Sequence, residues 1–98
     1  LVFLLINQVY AIELDYQPAE PSGKPFSQAV QVGGLIFLSG RLGVVDGKLA
    51  EGGVGPETRA AMESIKNSLD SLGSSIDRVV KCAVFLADIA EWSKMNEV

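Results

Sequence analysis

Two apolar runs meeting at a glycine pair, in the stretch Phe26 to Gly40 (FSQAVQVGGLIFLSG), constrain this chain more than any other feature. Gly33 and Gly34 lack a Cβ, so they reach the positive φ angles of a tight turn whose twist matches two antiparallel strands. A β-hairpin is predicted here. On its first strand Ala29 and Gln31 face one way and Gln28, Val30 and Val32 the other. Its second strand, Leu35 to Leu38, is almost continuously apolar, the pattern of a strand covered on both faces.

Before the hairpin, Leu1 to Ala11 (LVFLLINQVYA) is apolar and then softens toward Val9-Tyr10-Ala11, a small-residue cleavage pattern. The run is too short to span a bilayer, which takes about 20 residues, and it begins with Leu rather than Met. The remnant of a signal peptide is expected, with an exported (periplasmic or secreted) mature protein starting near Ile12. An ordinary first strand in a cytoplasmic protein is the alternative. Glu13 to Lys24, followed by Pro25, holds Pro18 and Pro21, which remove backbone donors and forbid a helix, so an extended lead-in is predicted.

After the hairpin, Val44 to Leu49 (VVDGKL) predicts a short hairpin or turn that brings Leu49 back toward the sheet. Pro56 suits the first position of a helix and Glu57 its positive end, while Gly73 supplies the stop. Between them Ala61, Ile65, Leu69 and Leu72, with Met62, form an apolar face opposite Glu63, Lys66, Asn67 and Asp70. Val79 to Leu86 (VVKCAVFL) is β-branched and apolar enough for a central strand, completing a β-β-α-β order. Asp88 with Glu91 three residues on is a capping box for a second helix. On that helix Ile89, Trp92 and Asn96 share a stripe, which predicts a buried amide at Asn96.

Composition then removes whole classes of chemistry. Histidine is absent and Cys82 is the single cysteine, so zinc clusters and Ser-His or Cys-His pairs cannot be assembled from these residues. Cys82 reads as a buried core thiol, since Lys81 beside it points to the other face of a strand. Eight Lys and Arg against twelve Asp and Glu give a net charge of −4, which offers no footprint for a phosphate backbone. Nucleic acid is not an expected partner.

Taken together, Pro25-Phe26-Ser27-Gln28-Ala29-Val30, Leu38-Ser39-Gly40, Glu57-Thr58-Arg59, Val79 to Asp88 and Asn96-Glu97-Val98 make the chain from about Ser22 onward resemble the RidA (YjgF-like) family of reactive-intermediate deaminases. The resemblance implies an α+β, chorismate-mutase-like fold, a mixed sheet with two helices on one face. Residues 12–98 would form that domain, incomplete and lacking its last strands. It implies a homotrimer with clefts between subunits, no metal or cofactor, and no membrane association after signal cleavage. The implied activity is hydrolysis of enamines and imines, such as 2-aminoacrylate, to 2-keto acids and ammonia. A non-catalytic trimeric binder of small acids and a ribonuclease or translation inhibitor are the rival functions.

By position, the resemblance implies Phe26, Ser39, Gly40 and Asn96 as substrate-binding residues. The family's carboxylate-binding arginine and water-orienting glutamate are expected beyond Val98, so no catalytic residue is assigned and the 98 residues alone are expected to be inactive. Phe26 departs from the usual tyrosine and cannot donate a hydrogen bond. Each residue also has a plainer reading: core packing for Phe26, a strand end with a backbone-bonded hydroxyl for Ser39-Gly40, a structural amide for Asn96. Arg41, next in line, reads as a surface charge, with substitute anion binding as the alternative.

Overall fold

The computed structural model describes residues 12–19 and 23–98. The expected signal remnant, Leu1 to Ala11, lies outside the described residues, as do residues 20–22 of the lead-in. The chain divides into two units, Leu1–Ser39 and Gly40–Val98.

In the first unit, β1 (Leu14–Pro18), β2 (Ser27–Val32) and β3 (Leu35–Leu38) form an antiparallel sheet in that order. The glycine hairpin is present: Val32 pairs with Leu35, and Gly33 has φ 57°. Gly34 keeps a negative φ, so the first central residue alone uses the left-handed region, the type II′ pattern. The lead-in departs from expectation, because its first part forms β1, paired with β2 from Leu14↔Val32 to Pro18↔Ser27. Proline is tolerated there because it sits at the end of a strand that β2 flanks on one side, beside a bulge between Gln17 and Pro18.

The register sorts the sheet's residues. Tyr16, Val30 and Phe37 lie opposite one another, as do Leu14, Val32 and Leu35, so these six share one face. That face is largely open: Leu14, Tyr16, Leu35 and Phe37 are all more than half exposed. The expectation that β3 is covered on both faces is therefore corrected, since Ile36 and Leu38 on the other face are only half-buried too. Ala29, at 1% exposure, is the most deeply buried hydrophobic residue among those described.

In the second unit, β4 (Val44–Val45) and β5 (Lys48–Leu49) pair as a minimal hairpin. Its Asp46-Gly47 turn has both central φ angles positive, 50° and 80°, the conformation that Asp-Gly favours. Leu49 thus pairs with Val44 in a separate two-stranded sheet rather than rejoining the first. Helix α1 (Val54–Ser71) begins two residues before Pro56. Proline still costs nothing there, because N–H groups of the first turn have no intrahelical acceptor. Leu69 is buried while Glu63, Lys66, Asn67 and Asp70 are exposed, as the periodicity requires. The helix ends in a Schellman arrangement: the Ser74 N–H donates to the Leu69 carbonyl, the Gly73 N–H to Asp70, and Gly73 has φ 77°.

Val79 to Leu86 is not a strand. It runs from a 3₁₀ turn (Ile76–Arg78) without entering any ladder, and Val80 and Phe85 are 88% and 94% exposed. Its β-branched, apolar composition gives it the capacity for a strand, but among the described residues it pairs with none. Cys82, expected in the core, is exposed for the same reason. Asp88 does cap the next helical turn, accepting from the Ala90 N–H at 2.9 Å, but Glu91 turns to Lys94 (3.8 Å) instead of closing the box. The result is a 3₁₀ turn (Ile89–Glu91) leading into a five-residue α2 (Trp92–Asn96). The α+β class stands, with antiparallel sheets and two helices.

Candidate functional site

Phe26 stands at the entry to β2, where the backbone passes into the ladder at Ser27. Its ring is about half exposed, and the Lys24 ammonium lies over it, 5.7 Å from the centroid. Pro25 between them holds the chain extended enough for the two side chains to share one side. Core packing, the plainer reading of Phe26, does not describe this exposed ring.

Ser39 follows β3 and continues its register: the Ser39 N–H and Oγ–H both donate to the Gln28 carbonyl, at 3.0 and 3.1 Å. The sheet thereby fixes the position of the hydroxyl oxygen, an atom able to accept as well as donate. Gly40 has open space where a Cβ would be, so its backbone is approachable.

Arg41, expected as a surface charge, is half-buried and donates through Nη2 to Ser68 Oγ on α1 at 3.0 Å. Ser68 is itself buried, so this bond satisfies a hydroxyl that would otherwise be costly to place there. Gly43 completes the attachment of this segment, with its Cα against the Glu57 backbone of α1 and its carbonyl accepting from the Ala50 N–H at 2.8 Å. Sequence reasoning missed the Arg41–Ser68 bond, since nothing in local periodicity links residues 27 positions apart.

Asn96 is corrected. It lies at the end of α2 and is exposed, not buried on an apolar stripe, because α2 is too short to carry one and Ile89 and Trp92 are exposed as well. An open cleft of about 410 Å³ lies between the α1 N-terminus and α2, lined by Arg59, Lys94, Glu91 and Glu97. Its two cations and two carboxylates balance, and none of Phe26, Ser39, Gly40 or Asn96 lines it. Among the described residues no cluster of acidic side chains and cysteine is placed to hold a metal, and no helix is long and apolar enough to cross a membrane.

These features meet known proteins at one point. The family model described as Endoribonuclease L-PSP matches residues 17–98, from the end of β1 through α2. The chain belongs to this family, the RidA (YjgF-like) proteins. Among its relatives, the mitochondrial protein mmf2 of Schizosaccharomyces pombe is 43% identical over 76 residues, covering 78% of this chain and 60% of that protein. The 2-iminobutanoate/2-iminopropanoate deaminase of Bos taurus is 42% identical over 76 residues, covering 76% and 56%. A Yersinia pestis structure, described as a protein of unknown function of the conserved Rid family, superposes with a TM-score of 0.77 at 27% identity, covering 87% of this chain and 71% of that one. The chain thus spans about 60% of the length of the curated RidA-family relatives it matches.

Proposed function

We propose that the whole protein hydrolyses reactive 2-imino acids and their enamine tautomers, such as 2-aminoacrylate, to 2-keto acids and ammonia. The observation that carries this reading is the 42% identity to a protein named 2-iminobutanoate/2-iminopropanoate deaminase. The chemistry asks little of a site. Water adds to the C=N carbon, and the resulting carbinolamine expels ammonia as its hydroxyl becomes the keto oxygen. A pocket that holds the carboxylate, orients the water and relays protons suffices. Phe26 would wall such a pocket, the Ser39 hydroxyl oxygen would accept from the imine N–H or the water, the Gly40 backbone would admit the substrate closely, and Asn96 would supply a two-sided amide.

A homotrimer with clefts between subunits accompanies this proposal. The open apolar face of β1–β2–β3, with Leu14, Tyr16, Leu35 and Phe37, is the kind of surface that association covers. Export, with a mature start near Ile12, is likewise proposed, and mass spectrometry of the native protein tests it: a retained Leu1 would refute it. The family description favours a second reading, endoribonuclease action. The −4 charge and the lack of histidine weigh against it.

The deciding experiment forms 2-aminoacrylate or 2-iminobutanoate in situ with a dehydratase and tracks keto-acid release by the whole protein. Acceleration above the spontaneous rate supports the deaminase. Binding of the keto acid without acceleration supports a non-catalytic binder, and RNA cleavage without either supports the nuclease.

A further inference from the structure

We infer that Lys24 is a carboxylate-binding residue for the substrate, its ammonium over Phe26 meeting the acid group of a 2-imino acid that lies against the same ring. The inference rests on the deaminase reading, which makes Phe26 a wall of the pocket. It adds a contact from this chain's own residues, distinct from the arginine that the resemblance expects beyond Val98.

The geometry supplies the reasons. Lys24 Nζ sits 5.7 Å from the Phe26 centroid, close enough for the negative face of the ring to hold it. An ammonium has three donors, and a ring takes up only the side turned toward it, so N–H groups remain for an anion. No carboxylate among the described residues competes: the ion pairs found there are Lys66–Asp70 and Lys94–Glu91. Both Lys24 and Phe26 are exposed, so a solute reaches them without rearrangement. A 2-imino acid is flat and conjugated from the imine to the carboxylate, which matches a ring face flanked by a cation. Phe26 has no hydroxyl to donate, whereas the Lys24 ammonium over its ring does donate.

The test uses the whole protein and two probes, 2-oxobutanoate and its neutral amide 2-oxobutanamide, titrated calorimetrically against wild type, Lys24→Met and Lys24→Arg. Lys24→Met is expected to weaken binding of the acid about threefold to tenfold and to leave the amide unchanged, with Lys24→Arg restoring the acid. The difference shrinks in about 1 M salt, where exposed charges are screened within about 3 Å. In turnover of 2-iminobutanoate, KM rises by the same factor while kcat holds. Equal weakening of acid and amide, an unchanged affinity for the acid, or no binding by wild type overturns the assignment. Failure of the two ideas separates cleanly. Lys24-dependent binding of 2-oxobutanoate without any turnover removes the deaminase and keeps Lys24, whereas turnover with unchanged KM in Lys24→Met does the reverse.

Discussion

The β2–β3 hairpin and the segment Val79 to Leu86 are built from nearly the same kinds of residue, yet one is a sheet and the other is bare chain. In the hairpin, two glycines reverse the backbone so that Val32 meets Leu35 across a two-residue loop, the smallest closure entropy a ladder can have. Val79 to Leu86 leaves a 3₁₀ turn and runs into another, and it enters no ladder among the described residues. β-Branched, apolar composition therefore confers the capacity for a strand, and a partner edge at short loop distance realises it. The β4–β5 pair makes the same point at the smallest scale, two residues on each side of Asp46-Gly47.

The largest loss is expected at Gly43, which anchors the β4–β5 segment on α1. A methyl group there would lie on the Glu57 backbone carbonyl, and backbone cannot swing aside as a side chain can. Gly43→Ala is expected to cost about 3 kcal/mol, read from chemical denaturation. Next comes the hairpin turn. Gly33→Val forces a β-branched residue to φ 57° and should lose about 2 kcal/mol. Gly34→Ala, at negative φ with open space around it, should stay within about 0.5 kcal/mol. Equal losses at the two glycines would show that the turn is not what holds β2 to β3.

Phe85→Ser removes a ring that is 94% exposed, so the stability of this chain should change by less than about 0.5 kcal/mol. In the same protein, backbone amides of Val79 to Leu86 should exchange with deuterium far faster than those of β2 and β3. A large loss at Phe85, or matched protection, would mean that the segment is paired.

The finest test concerns a contact made wholly within α1. Lys66 donates to Asp70 at 3.0 Å, and that hydrogen bond, then the Asp70 charge, raise the Lys66 pKa above its ordinary 10.5. A raised folded-state pKa stabilises at every pH below the unfolded value, and the contribution is lost as pH climbs past 10.5 through the folded value. Both groups are about half exposed, so the effect is small and falls with salt. Lys66→Met should remove this alkaline dependence and leave neutral stability almost unchanged.

Much of the fold was legible because its signals are local. Gly33, Asp46-Gly47 and the Gly73 stop each take a left-handed backbone conformation that most residues avoid, and all three appear where the residues call for them. β1 was hidden by Pro18, which argues against a strand interior but not against a strand end. The candidate site was less legible. The motif residues Phe26, Ser39, Gly40 and Asn96 could be named by resemblance, but periodicity assigned Asn96 and Cys82 a burial that the structure does not give them. Lys24 over Phe26 had no signal of its own, since a lysine two positions before an aromatic is commonplace until the backbone turns both side chains the same way.

By itself, then, the sequence determined the turns, the polarity of α1 and membership of a family, because each depends on conformations and side chains that neighbouring residues specify among themselves. Tertiary structure alone decided that Glu13 to Lys24 contributes a strand, that Val79 to Leu86 does not, and that Arg41 ties down on Ser68. It also decided which face of the three-stranded sheet stays open. Those outcomes rest on which backbone edges and buried hydroxyls find partners across many residues of chain, and hydrogen bonds of that reach are set by where the whole chain goes rather than by any stretch of it.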